Sequence, residues 1–178
     1  AVKDRLYCDA PDSERRIETQ YTMWAILEVL LRLLAPILPH TSDEAFQALY
    51  NNTDISIHLS NPISFPIKSS KQWADVINAR TQVTKALEDS KASGIDNSLD
   101  AGIILSDPSN ILSLFESDLA DIFSVSRVQL TSETQVLTVE NLLDAPRCDR
   151  SWRRDSTVKQ RSDGSFLSDR DAKVVNIT

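Results

Sequence analysis

Apolar residues recur every three or four positions early in the chain, at Ile17, Tyr21, Trp24, Leu27, Leu31, Leu34 and Leu38. That spacing lays them along one stripe of a helix. Asp12 and Ser13 are good N-cap residues for it, and Glu14 in the first turn suits the helix dipole. Pro36 and Pro39 should kink or end it. Thr41-Ser42-Asp43-Glu44 has the Thr-x-x-Glu form of a capping box and predicts a short helix to about Tyr50. Asn51 to Ser70 is polar, contains Pro62 and Pro66, and reads as a connector at a domain boundary.

The pattern then changes. Trp73, Val76, Ile77, Val83 and Leu87 mark a second amphipathic helix, with Gly94 placed to stop it. Leu99, Ala101, Ile103 and Leu105 alternate as in a strand. Pro108 and Ser109 precede a helix through Ile111, Leu114, Phe115 and Leu119, and strand candidates follow near Val125–Leu130 and Gln135–Glu140. Helix, strand, helix, strand, strand fits a small sheet covered by helices, so the expected class is mainly α with a small α/β part. Beyond residue 145 periodicity disappears. Only Trp152, Val158, Phe166, Leu167, Val174 and Val175 could form a core there, and such a segment usually needs a metal or a partner.

Composition narrows the setting. The chain has 178 residues, 41% hydrophobic and 25% charged, with no apolar run of membrane-spanning length. The opening Ala-Val-Lys-Asp-Arg shows no secretory pattern and, lacking Met, reads as a piece of a longer chain. Cys8 and Cys148 are therefore expected as reduced thiols in a cytoplasmic protein. The net charge is −7, but Arg147 to Lys173 holds eight basic against five acidic residues. A basic tail on an acidic body suits local RNA contact; the alternative is a solvated, partly disordered tail. Only three glycines occur, and no phosphate loop is visible. Asn51-Asn52-Thr53 and Asn176-Ile177-Thr178 match glycosylation acceptors but carry no weight without secretion.

The most specific pattern lies in this tail. Cys148, Ser151, Ser168 and Asp171 have the spacing of a four-ligand zinc ribbon: two intervening residues, then sixteen, then two. Only Cys148 is a good ligand and Asp171 a possible one, because serine hydroxyls bind zinc poorly at neutral pH. No bound metal is expected.

Arg147-Cys148-Asp149-Arg150-Ser151-Trp152 and Leu167-Ser168-Asp169-Arg170-Asp171 resemble the C-terminal zinc finger of bacterial isoleucyl-tRNA synthetases, with three cysteine positions replaced. Lys3-Asp4-Arg5-Leu6-Tyr7, Leu33 to Thr41 with its Leu-Ala-Pro-Ile-Leu-Pro-His-Thr run, and Ser56-Ile57-His58-Leu59 resemble that family's anticodon-binding helical domain. Lys85-Ala86-Leu87-Glu88 and Ser98-Leu99-Asp100-Ala101 are similar to its junction domain. The resemblance implies part of an anticodon-binding helical bundle in residues 1–65, an α/β junction domain in 66–144, and a degenerate zinc-finger-like tail in 145–178. The family's catalytic signatures are absent, and Lys68-Ser69-Ser70-Lys71 is only an echo of one. ATP use, the catalytic and editing domains and isoleucine activation would then belong to the parent enzyme, leaving this chain inactive alone and without zinc. Its partner would be the anticodon arm of tRNA-Ile, not DNA or a membrane.

RNA loops are read by stacking bases on aromatics and by basic groups on phosphates. Trp152, with Arg147, Arg150, Arg153 and Arg154, offers both; the alternatives are a core plug and a solvated charge run. Arg15 and Arg16 are weaker phosphate candidates, since such pairs are usually plain helix surface. Trp24 and Trp73 are expected in the core, and His40 in a structural role at a helix start. Neither His40 nor His58 has a partner in a nucleophile or metal arrangement. Two other classes stay open: a helical interaction module that binds no RNA, and a nucleic-acid repair protein with a glycosylase-type finger.

Overall fold

The computed structural model describes residues 2–61 and 71–177; the expected connector residues 62–70, Pro62 and Pro66 among them, lie outside that set. Roughly half of the described residues are helical, and the largest sheet is small and mixed. Two compact units divide the chain, one of residues 11–68 and one of residues 1–10 and 69–178. Among the described residues no helix is long and apolar enough to cross a membrane.

α1 (Val2–Tyr7) lies outside the first unit, whose helices are α2 (Glu14–Leu34) and α3 (Pro39–Tyr50). Ser13 caps α2, its hydroxyl accepting the Arg16 N–H at 3.2 Å. The capping box expected at Thr41 does not form. Pro39, favourable at a first helical position, starts α3 two residues earlier with Leu38 at the cap. Leu31, Ala35, Phe46 and Ile57 make a small core. Asp43 pins Ile57 into it, accepting from the Ile57 N–H at 2.8 Å and the Ser56 hydroxyl at 2.7 Å. Those bonds hold the Asp43 carboxyl below the usual carboxylate range. Of the apolar stripe, Leu31 is buried in α2 while Ile17, Tyr21 and Leu27 stay exposed, as does Leu38 at the cap of α3. Trp24, expected in the core, is half-buried between Tyr21 and Tyr50.

The second unit opens with α1 (Val2–Tyr7). Sequence reading grouped these residues with the helical part; ion pairs from Arg5 to Asp118 (2.7 Å) and Asp121 (3.3 Å) hold them instead to the α/β part. After α4 (Lys71–Ser90), a 3-10 turn ends at Gly94, whose φ of 88° is the left-handed conformation that favours glycine. Then come β1 (Ala101–Ser106), α5 (Glu116–Phe123), β2 (Arg127–Thr131) and β3 (Leu137–Asn141). The sheet order is β2-β1-β3, with β1 parallel to β2 through the α5 crossover and antiparallel to β3. Alternation sends Ile103 and Leu105 to one face, against Val76, Ala79 and Val83 of α4 and Leu119 and Phe123 of α5. On the other face Gly102 leaves room for the Arg127–Glu140 pair (3.0 Å); a Cβ there would lie 2.8 Å from Glu140 Oε2. Trp73, also expected inside, is 46% exposed and packs edge-on to Phe115 at 5.9 Å.

The tail belongs to the same unit. It holds a short ribbon of β4 (Lys159–Gln160) and β5 (Phe166–Leu167), then α6 (Asp169–Val175). Cys148, Val158, Leu167 and Ala172 form its core. Arg161 is buried beside it and donates twice to the Leu167 carbonyl, at 3.0 and 2.7 Å.

Candidate nucleic-acid interface

The four positions with metal-ligand spacing converge. Asp171 is fully buried in the first turn of α6. Its Oδ2 accepts from Cys148 Sγ at 3.0 Å, Ser151 Oγ at 2.7 Å and Ser168 Oγ at 3.1 Å. Ser168 is also the N-cap of α6, taking the Asp171 N–H at 3.2 Å. Arg170 lies 3.1 Å from Asp171 Oδ1 and also grips Asp4 at 2.7 Å.

This cluster anchors both ends of a tight turn. Cys148 N–H donates to the Arg153 carbonyl and Trp152 N–H to the Cys148 carbonyl, each at 2.9 Å. The turn places Trp152 at φ 63°, a conformation that costs a side-chain-bearing residue about 1–2 kcal/mol. Its ring is 57% exposed, and the Arg147 guanidinium stacks on it at 5.1 Å from the centroid. The core-plug alternative for Trp152 is therefore wrong.

The arginines divide by their partners. Arg147 and Arg150 are exposed; Arg150 donates to the Tyr7 carbonyl at 2.8 Å, and Cys8 Sγ donates weakly to the Arg150 carbonyl at 3.9 Å. Arg153 turns inward to Asp121, with Asp4 at 3.7 Å. Arg154 bonds Asp100 at 2.7 Å and the carbonyls of Leu143 and Ala145 at 3.1 and 2.8 Å. Asp100 and Asp121 are themselves buried, so Arg153 and Arg154 complete ion pairs inside the fold rather than presenting free guanidinium groups. Arg15 and Arg16 lie half-buried in the first turn of α2, in the other unit.

Beside Trp152 runs a groove of about 520 Å³ lined by Lys3, Tyr7, Asn97, Ser98, Arg150 and Trp152, among others. Tyr7 is 73% exposed. Lys3 and Tyr7 are not among the residues expected from the sequence, although they sit in a segment matched by resemblance. A basic and an aromatic residue four apart on one helix was the available signal. Burial raises the Cys8 thiol, helped by the charges of Asp4 and Asp171, up to about 11, so it stays protonated at neutral pH.

RNA-binding proteins receive unpaired bases on exposed aromatics and arginine planes, and Trp152 with Arg147 has that arrangement. Residues 1–105 match the family described as the anticodon-binding domain of tRNA ligase, and the chain belongs to that family. Its similarity to curated proteins runs to isoleucine–tRNA ligases. That of Syntrophotalea carbinolica is 31% identical over 95% of this chain and 20% of its own length. Those of Bradyrhizobium diazoefficiens and Brachyspira hyodysenteriae are each 30% identical, over 97% and 98% of this chain. The chain spans about a fifth of the length of these relatives.

Proposed function

We propose that this chain is the tRNA-reading part of an isoleucine–tRNA ligase and holds the anticodon arm of tRNA-Ile. Residues 66–144 act as the junction domain and the tail as a zinc-ribbon-like knuckle without zinc. ATP-dependent activation of isoleucine and its transfer to tRNA fall to a catalytic domain elsewhere in the parent enzyme, in the cytoplasm. The observation that carries the reading is the Trp152–Arg147 stack, held open to solvent next to the groove. One unpaired base stacks on the Trp152 ring, while Arg147, Arg150 and Lys3 meet phosphates. Arg153 and Arg154 act indirectly, by fixing the turn.

The test is fluorescence anisotropy of labelled tRNA-Ile and a non-cognate tRNA at two salt concentrations. Cognate preference with a modest salt slope is expected. Trp152→Ala should weaken binding by roughly 1–3 kcal/mol, the worth of one base stack; unchanged affinity would reject the stacking role. A second reading, an interaction module that binds no RNA, is favoured by the exposed Tyr21 and Leu33 on α2. It predicts no binding of either tRNA. Membership in a tRNA ligase family replaces the repair-enzyme alternative.

A further inference from the structure

We infer that the Asp171 carboxylate does for this tail what a zinc ion does for a four-cysteine knuckle, and that, on the tRNA-reading function proposed above, Asp171 is the positioning residue for Trp152. Zinc requires deprotonated soft or nitrogen donors arranged around an empty centre. The donor set here does not fit. One thiol and two hydroxyls each point a proton at Asp171 Oδ2, so the centre of the knuckle is filled by an oxygen that accepts, at 2.7–3.1 Å, from the other three positions. The replacement is consistent in charge as well as in shape. Cys148, Ser151 and Ser168 enter as hydrogen-bond donors, and Arg170 at 3.1 Å with Arg150 at 4.0 Å offsets the single carboxylate.

The link to Trp152 is short. Cys148 and Ser151 are the first and fourth residues of the turn, Trp152 follows directly, and its left-handed backbone leaves its N–H on the Cys148 carbonyl. Releasing either side chain from Asp171 frees the turn that aims the ring. A metal would fix the same two positions from the same centre.

The full chain, expressed with added zinc, is assayed for bound metal, for thermal unfolding with and without EDTA, and for affinity to a labelled anticodon stem-loop. Wild type should hold zinc far below one per chain and unfold identically in EDTA. Asp171→Asn should lower affinity at least about fivefold, the lower bound for losing one stack. In a background with Trp24 and Trp73 replaced by Phe, it should also lower the anisotropy of Trp152 emission, a readout that needs no tRNA. The triple variant Ser151→Cys, Ser168→Cys, Asp171→Cys should bind one zinc and recover wild-type affinity only when zinc is present. Should Asp171→Asn fail to fold, Ser151→Ala reports the same loss through a single donor. Stoichiometric zinc in wild type, an EDTA-sensitive melt, or unchanged Trp152 anisotropy in Asp171→Asn would overturn the inference. If Trp152→Ala leaves affinity unchanged while wild type holds no zinc, melts identically in EDTA and loses Trp152 anisotropy in Asp171→Asn, the stacking role falls and the metal-free centre stands.

Discussion

Replacing Arg154 by Ala removes three side-chain bonds that tie the tail to the sheet: to Asp100 at 2.7 Å and to the carbonyls of Leu143 and Ala145 at 3.1 and 2.8 Å. The side chains of Arg154 and Asp100 are only 15% and 12% exposed. Breaking a fully buried ion pair costs about 3–5 kcal/mol, because the abandoned charge stays out of water. Water can reach part of this pair once the arginine is gone, so the expected loss is about 2–4 kcal/mol. The control is Arg147→Ala. Arg147 is exposed and its guanidinium lies over the Trp152 ring, a contact worth only about 0.5–1 kcal/mol. In a Trp24→Phe background, urea unfolding followed by Trp73 and Trp152 emission reports this unit alone. With a slope of about 2 kcal/mol per molar urea, Arg154→Ala should lower the midpoint by about 1–2 M. Arg147→Ala should barely move it. Arg147→Ala should instead lower the affinity of the folded protein for tRNA. Equal midpoints for the two variants would refute the assignment of Arg154 to the fold.

Two further outcomes follow from the charge arrangement. Burial opposes ionisation of Asp4, but the bond from Arg170 and the charges of Arg153 and Arg170 outweigh it and hold the carboxyl below its ordinary 3.8. Its contribution to stability is therefore present above pH 3.8 and lost as pH falls through the depressed value. Asp4→Asn should flatten that acid limb of the stability profile, and an unchanged limb would contradict it. The Cys8 thiol, raised to about 11, should react with a disulfide reagent at pH 8 far more slowly than it does in the unfolded chain; equal rates would show that it is not buried as described.

What could be read along the chain was local. The three-to-four spacing and Ser13 cap delimit α2, alternation marks Ile103 and Leu105 as the inner face of β1, and Gly94 closes the turn after α4, because each depends on residues within a few positions. The spacing of Cys148, Ser151, Ser168 and Asp171 likewise announces a knuckle. Partner choice was not local. Arg170 and Asp4 stand 166 positions apart, Arg5 and Asp121 116, and Arg154 and Asp100 54. An arginine run reads the same whether its guanidinium groups meet buried carboxylates or solvent. Only the folded chain turns Arg153 and Arg154 inward, leaves Arg147 on Trp152, and carries α1 to the sheet's unit. It also turns Asp171 from a poor fourth ligand into the centre of the knuckle, since a carboxylate becomes a hub only when donors from a distant turn join the one at its own helix cap and water is excluded.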